Sequence, residues 1–509
     1  MPFALAPLSV DYVRLVIGGM EYGRLRLDAP WEVLVRFWHG YTYMAVRTLV
    51  PEPEQEAALE AYTRRKRDFI HASESYWRDT AMPELIASRD WFRSVPVERM
   101  PLANLANAWH EAWERGARGW AIHFHAIRGA YQVTDDLSEF YEGVMADAPA
   151  GEALRLIQGY AGELHDVERG LDRLAAMVRG EADLRRMFEP PNAPRLEMVE
   201  AAPEATRFVA SLHDFLDVHG HLGGSFDDIA FANWSEQPSM VLGDLARRLA
   251  AAGPSADERR AMLLSEADTL ADRVRTVLAD RPENLAKFEQ LLADARTVGP
   301  LTEIHNYWID RLIQACLRSF ALRVGARLVE AGVIGQPEDV LYLSRDEVPD
   351  LLHAPVDRRA TVAARRAEHA LQKAMKPPRV VGKPLTPPEK ADRFDGARFD
   401  AELDGTMRGT GASFGVVRGV ARIVLGPEHF KKVIPGDVIV APSSNPSWVP
   451  LFSVAGGLLT NTGGVLCHAA VVAREFGLPA VVGLGDATTR IPDGAFVELN
   501  GTTGLVRIL

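Results

Sequence analysis

The sequence predicts a multidomain protein of the α plus α/β class, with a large α-helical domain over residues 1–355, a basic, proline-containing linker over 356–405 and a compact α/β module over 406–509. Three observations carry this division. At 509 residues the chain is long enough for two or three domains. Apolar residues recur with a helical period from about residue 30 to 350, and from about 406 that period gives way to short β-rich runs. Hydrophobic residues make up 47% and charged residues 25%, so the chain has the composition of one that folds along most of its length.

The first residues, MPFALAPLSVDYVRLVIGG, have no basic segment ahead of an apolar stretch, and Asp11 and Arg14 interrupt their one apolar run. No signal peptide is expected from them. Nor does any run of ~18 apolar residues free of charge suggest a membrane helix. The two cysteines, Cys316 and Cys467, form neither a CxxC pair nor a disulfide framework, which suits a reducing, cytoplasmic location. A net charge of −12, with no basic stripe interleaved with aromatic residues, argues against nucleic acid as a partner.

Within the helical part, LANLANAWHEAWERGARGWAIHFHAIRGAYQ (102–132) and LTEIHNYWIDRLIQACLRSFALRVGARLVEAGV (301–333) repeat apolar residues at i, i+3, i+4 and i+7. Breaks fall at EPPNAP (189–194), GHLGG (220–224), AAGPSA (251–256) and DRP (280–282). No fixed-period repeat, GxxxxGK[ST] or strand-borne GxGxxG is present. The linker contains RRATVAARRAEHALQKAMKPPRVVGKPLTPPEK, a basic helix running into proline-punctuated chain. In the C-terminal module the predicted strands are 415–425, 436–444, 456–461, 480–483 and 495–501, and one helix, HAAVVAREFG (468–477), follows a glycine pair and is closed by Gly477.

That helix carries the chemistry. In TNTGGVLCHAAVVAREFGLPAVVG (460–483) a strand ends at Asn461, Gly463 and Gly464 turn the chain, and a helix beginning near Cys467 sets His468 in its first turn. Free backbone N–H groups and the positive end of the helix dipole then surround the imidazole. The dipole opposes the imidazolium and leaves a neutral nucleophile, and the same donors would stabilise a phosphoryl group once transferred. Thr462 offers a hydroxyl, and Gly463 and Gly464 allow close backbone approach.

TGGxxxHAAVVARExGxPAVVG, with VRGVARIV (417–424), PGDVIVAPSSNPSWVPLF (435–452), AGGLLTNTGG (455–464) and VELNGTTGLV (497–506), resembles the swivelling phosphohistidine domain of the PEP-utilising and dikinase family. The resemblance covers about 412–509 and implies a swivelling β/β/α domain in which His468 is the phosphoacceptor and Cys467 stands where relatives carry Ser or Cys. The order of helical and phosphohistidine domains is similar to rifampin phosphotransferase without its ATP-grasp domain. It is also similar to the split-subunit phosphotransferases that act on phenols and hydroxyaryl ketones. What this implies is ATP and Mg²⁺ bound by a separate ATP-grasp partner subunit, release of AMP and phosphate, and a small hydroxylated aromatic acceptor held by the helical domain. No TIM-barrel domain follows the module, which makes phosphoenolpyruvate an unexpected substrate.

In the helical domain, DFLDVHGHLGGSFDDIAFANWSEQP (214–238) and ARLVEAGVIGQPEDVLYLSRDEV (326–348) resemble family segments. Leu222 stands where relatives place an arginine, and Phe226 where they often carry an acid, changes that suit a small, apolar acceptor. A hydroxyl attacking phosphohistidine needs a proton acceptor, and histidines are the candidates. His305 in LTEIHNYWID and His221 in the run His213, His219, His221 are favoured. His123 and His125, at i and i+2 on a helix, point about 200° apart, so at most one faces a pocket. Arg128 is a candidate phosphate clamp, and Trp234, Trp308 and Tyr307 are candidate pocket walls. The histidines lack HExxH spacing, and no metal site is expected. The alternatives to a phenol-type acceptor are a rifampin-like antibiotic hydroxyl and a phosphocarrier that relays phosphate to a protein partner.

Overall fold

The computed structural model describes residues 4–149, 151–160, 162–188, 194–225, 228–250, 253–375, 377–378, 381–382, 406–444, 448–452, 454–465 and 467–509. These form a helical N-terminal region and a C-terminal β-sheet domain, the class that the sequence predicts. They group into two compact units, one built from Met1–Gln132, Gly224–Ala232 and His305–Pro388, the other from Val133–Gly223, Asn233–Ile304 and Glu389–Leu509.

The first unit contains α1 (Pro7–Arg26), a hairpin of β1 (Trp31–Trp38) and β2 (Tyr41–Thr48), α2 (Gln55–Tyr76), α3 (Met82–Ser94) and the first part of the long helix α4 (Leu102–Val144). The hairpin corrects the helical reading of this stretch. WEVLVRFW and YTYMAVRT pair in register from Trp31 with Thr48 to Trp38 with Tyr41. Their two-residue turn has His39 at φ 47° and Gly40 at φ 76°, the turn that matches strand twist. Trp109, Trp113 and Trp120 of α4 are fully buried with Leu8 and Tyr12 of α1. The two helices approach closely because Gly19 faces Trp120, where a Cβ would lie 2.6 Å from the Trp120 carbonyl oxygen.

Later in this unit, a π-helical turn at Asn306–Arg311 leads into α11 (Leu312–Glu330), and a further helix, α12 (Arg359–Ala374), follows. Arg365 of α12 donates to Glu347 at 2.7 and 3.0 Å and to the Tyr342 carbonyl at 2.9 Å. The basic helix of the linker is thus packed onto its unit, while 376, 379–380 and 383–405 of that segment lie outside the described residues.

In the second unit, α5 (Gly162–Gly180), α6 (Thr206–His219), α7 (Ser239–Ala250), α8 (Ala256–Val277) and α9 (Pro282–Val298) precede the short α10 (Leu301–His305), whose last residue belongs to the first unit. Ser255 starts α8 as a capping box with Glu258. An ion network ties α7 to α5: Arg248 donates to Asp244 at 2.6 Å, Glu168 at 2.7 Å and Asp172 at 3.2 Å.

Two short strands, β3 (Gly223–Ser225) and β4 (Asp228–Asn233), precede α7. The C-terminal sheet has eight strands: β5 (Thr406–Arg408), β6 (Thr410–Ser413), β7 (Val416–Ile423), β8 (Val438–Ala441), β9 (Gly457–Thr460), β10 (Ala480–Val482), β11 (Phe496–Asn500) and β12 (Leu505–Ile508). Their order is β5-β12-β11-β7-β8-β9-β10-β6, with β7, β8, β9 and β10 parallel. Alternation in β8 sends Val438 and Val440 into one apolar layer and Ile439 and Ala441 into the other. The second layer holds Ala469, Ala470, Val472 and Ala473 of α13 (His468–Glu475), and Leu164 and Met240 from the helical part of this unit pack against it.

Candidate functional site

His468 is the first residue of α13, with Cys467 in the extended N-cap position. The loop leading to it leaves the C-terminal end of the parallel strand β9, where open α/β sheets present ligand-binding loops. Asn461 anchors that loop, donating to the Thr488 hydroxyl at 2.7 Å and accepting from the Thr488 N–H at 3.0 Å. Thr462 is exposed and donates its hydroxyl proton to the Pro442 carbonyl at 3.1 Å, which leaves its oxygen lone pairs outward. Gly463 adopts φ 124°, and a Cβ there would fall 2.7 Å from Sγ of Cys467. Gly464 faces open space. Gly477, at φ 61°, closes α13 in the C′ position.

Glu303 of the same unit and two charged residues at the end of the helix itself, Arg474 and Glu475, set its electrostatics. Glu303 brings Oε2 to 3.3 Å from Nδ1 of His468, an ion-pair distance without hydrogen-bond alignment, and Nε2 of His468 has no protein partner among the described residues. Arg474 is buried and donates to the Ala412 carbonyl at 2.9 Å. Burial pulls its guanidinium down to about 10 against the opposing pull of Cys467, Glu475 and Glu303. Both oxygens of Glu475 accept the Gly159 N–H, at 3.1 and 3.2 Å, and burial pushes its carboxyl up to about 7. Burial likewise raises the Cys467 thiol, which makes it a packing residue beside the loop.

A second cluster lies in the first unit. His123 Nδ1 is 2.8 Å from Asp310 Oδ1, and the rings of His123 and His305 meet edge to face at 4.4 Å. All three side chains are buried. Burial pushes the Asp310 carboxyl up, but His123, His305 and Arg311 together hold it below its ordinary value. His305 and Asp310 are five residues apart, and the π turn between them, in which i and i+5 are neighbours, brings them together. Their ligand-type atoms lie within 4.8 Å of one another. This donor set could therefore hold a divalent ion of the zinc or manganese kind, a grouping that sequence spacing did not show.

The remaining candidates lie elsewhere. His125 faces away from His123, between the edges of Phe69 at 4.5 Å and Tyr76 at 4.4 Å, and burial pulls it down to about 4. Arg128 is buried on the same face as His125 and donates Nε to the Phe124 carbonyl at 2.8 Å. Trp234 is buried and stacks on Phe215 at 6.0 Å, close against Gly223. Leu222 is buried and accepts the Trp234 N–H at 2.8 Å, and His221 is half-buried in the turn after α6. Trp308, in the π turn, meets Tyr307 edge to face at 5.5 Å. Phe226 lies outside the described residues. Sequence reasoning missed Glu303 and Asp310, although both sit in LTEIHNYWID, two residues before His305 and five after it. No helix among the described residues is long and apolar enough to cross a membrane.

Residues 433–504 match the mobile domain of PEP-utilising enzymes, and residues 129–303 match the fourth domain of rifampicin phosphotransferase. Chondramide synthase of Chondromyces crocatus is 27% identical over 520 residues, covering 97% of this chain and 13% of that protein. An uncharacterised phosphotransferase of Bacillus subtilis strain 168 is 27% identical over 391 residues, 76% of this chain and 47% of the relative. Rifampicin phosphotransferase of Streptomyces sviceus is 33% identical over 321 residues, 62% of this chain and 36% of the relative. The chain thus spans less than half the length of these relatives. Over residues 433–504 the chain is thus similar to PEP-utilising enzymes, and over residues 129–303 to rifampicin phosphotransferase.

Proposed function

We propose that this chain is the phosphohistidine and acceptor-binding component of an ATP-dependent dikinase-type phosphotransferase that phosphorylates a small hydroxylated aromatic substrate. The observation that carries the reading is His468 at the start of α13, on a glycine loop, with one ring nitrogen beside Glu303 and the other without a partner among the described residues. ATP and Mg²⁺, held on a separate ATP-grasp subunit, supply the β-phosphoryl group, and AMP and inorganic phosphate are released. Nε2 of His468 attacks the β-phosphorus, the bond to the α-phosphate oxygen breaks and AMP leaves; water then cleaves the β–γ bond of the pyrophosphohistidine, which releases inorganic phosphate and leaves the β-phosphoryl group on His468. The N–H groups at the start of α13 and the Thr462 loop neutralise the transferred group.

In the second step an acceptor hydroxyl attacks the phosphorus, the P–N bond breaks and its electron pair returns to the imidazole. The hydroxyl proton passes to His123, whose tautomer Asp310 fixes, with His305 beside it. Splitting one transfer into two steps lets nucleotide and acceptor be bound at different places.

A rifampicin-like antibiotic is the second candidate acceptor, favoured by the match of residues 129–303 and by the relatives named for that activity. Against it, Leu222 leaves the turn after α6 without the arginine that the family resemblance implies. Thermal-shift measurements with simple phenols and with rifampicin separate the two.

The deciding experiment follows label from the β-phosphate of ATP to the full chain, with and without a candidate ATP-grasp protein, using His468→Ala as control. Acid-labile label requiring both the partner and His468 supports the relay. Label that survives His468→Ala, or that arrives only from phosphoenolpyruvate through another protein, overturns it.

A further inference from the structure

Two polar atoms on one face of α4 lack a hydrogen-bond partner among the described residues although both are shielded from water: Nη2 of Arg128 and Nδ1 of His125. Arg128 is only 7% exposed. Among the described residues its one hydrogen bond goes from Nε to the carbonyl of Phe124 in its own helix, and no carboxylate pairs with it. The titratable groups facing it from the neighbouring helices are Tyr22 and Arg26 of α1 and Tyr62 and Tyr76 of α2. A buried guanidinium normally has an acid beside it, because taking the charge out of water without a partner is costly. Its pull down to about 10, caused first by burial, agrees with that geometry.

The surroundings define what would satisfy it. His125 and Arg128 are three residues apart and so share a helix face, different from the one that carries His123 toward Asp310. Phe69 and Tyr76 lie edge-on to the His125 ring, and Tyr62 stands on the same helix. On the other side, Gly23 of α1 packs closely on α4, and a Cβ there would stand 3.2 Å from Nη2 of Arg128 and 2.9 Å from Cβ of Phe124. The walls are aromatic, the Arg128 guanidinium is planar, and the ammonium of Lys66 stands over the Tyr62 ring at 5.1 Å. A phosphate dianion would call for a second cation, but Arg118 is already bonded to both oxygens of Glu84, at 2.7 and 2.9 Å, and Arg26 lies over the Tyr22 ring.

We infer that this face of α4 binds the carboxylate of a small aromatic acid, with Arg128 engaging the carboxylate, His125 offering a further polar contact and the ring seated among Phe69, Tyr62 and Tyr76. Arg128 offers this contact whether or not His468 carries phosphate.

Calorimetric titration of the full chain with benzoate, 4-hydroxybenzoate, phenol and inorganic phosphate tests it, on wild-type protein, Arg128→Met and Arg128→Lys, with melting temperatures measured in parallel. Benzoate is expected to bind wild-type protein and raise its melting temperature. Arg128→Lys, which keeps the charge and loses the fork, should weaken benzoate about tenfold, and Arg128→Met should abolish binding. Arg128→Met without ligand should melt no lower than wild type, since it removes a charge with no partner. Equal benzoate affinity in wild type and Arg128→Met, tighter binding of phosphate than of benzoate, or no binding by any aromatic acid each overturn the inference. A large fall in the melting temperature of Arg128→Met overturns it as well, because the charge would then have a partner within the protein.

Discussion

Glu303 places its carboxylate 3.3 Å from Nδ1 of His468. A carboxylate there favours the tautomer with the proton on Nδ1 and so leaves the Nε2 lone pair free to attack phosphorus. Glu303→Gln should therefore slow phosphorylation of His468 about 10- to 100-fold, and Glu303→Ala at least as much. ¹⁵N spectra of histidine-labelled protein provide the check that a purely structural role would not move. Wild type should show His468 with Nδ1 protonated, whereas Glu303→Gln should show a tautomer mixture. Identical ring-nitrogen shifts in both proteins would remove Glu303 from the mechanism.

The two glycines ahead of His468 should respond differently to alanine. Gly463 combines φ 124° with a Cβ position 2.7 Å from Sγ of Cys467, so Gly463→Ala must both strain the backbone and displace the N-cap of α13. A loss of about 1–3 kcal/mol in urea unfolding is expected, together with slower phosphorylation. Gly464 has open space at its Cβ position, so Gly464→Ala should stay within about 0.5 kcal/mol of wild type. Equal stabilities for the two variants would refute the asymmetry.

What the sequence made legible follows the range of the signals involved. The loop and helix around His468 depend on contiguous residues, glycines at a turn and alternating apolar strands, and the strands predicted over 415–425, 436–444, 456–461, 480–483 and 495–501 are present at 416–423, 438–441, 457–460, 480–482 and 496–500. Strands β5, β6 and β12 were not anticipated, being only three or four residues long and paired across the sheet. The β1–β2 hairpin had a usable signal, since His39-Gly40 sits between two runs rich in aromatic and β-branched residues, but the surrounding helical period masked it. Asp310 is different in kind. Regular helix spacing turns i and i+5 well apart, and nothing in NYWIDR announces the π turn that brings Asp310 to His305 and His123.

That π turn gives Asp310 a testable role. Asp310→Asn keeps shape but removes the charge that orients His123, so phosphorylation of His468 should proceed normally while discharge to an acceptor slows about 10²- to 10³-fold. Single-turnover decay of prelabelled protein with and without a phenol separates the steps. Equal discharge in Asp310→Asn and wild type would show that the cluster takes no part in moving the proton.

Arg248 sits 2.6 Å from Asp244, 2.7 Å from Glu168 and 3.2 Å from Asp172, and these acids raise its guanidinium despite the opposing cost of burial. Arg248→Met would leave the buried carboxylates of Asp244 and Glu168 without their main counter-charge, at a cost of about 3–5 kcal/mol. The double variant with Asp244→Leu should recover part of that loss. Additive losses in a double-mutant cycle of denaturant midpoints would show that the two residues do not act as a pair.

The final prediction concerns pH. Burial, helped by the negative charge of Glu303, pushes Glu475 up to about 7, against the Gly159 N–H, Arg474 and Arg260. In the unfolded chain this carboxyl ionises near 4.5, so between about 4.5 and 7 the native state binds the extra proton. Stability contributed by Glu475 is therefore full below 4.5 and is lost as pH rises through 7, by about 2 kcal/mol once its partial exposure is allowed for. His125 and His219 work in the opposite sense: burial pulls both down to about 4, so their contribution falls as pH drops below the ordinary histidine value. Because the two trends overlap, the wild-type profile alone is uninformative and the difference from Glu475→Gln isolates the carboxyl. Glutamine can still accept the Gly159 N–H, so urea unfolding at pH 5, 6, 7 and 8 should show the variant gaining on wild type as pH rises. A difference that stays constant across that range would mean that Glu475 titrates as an ordinary glutamate.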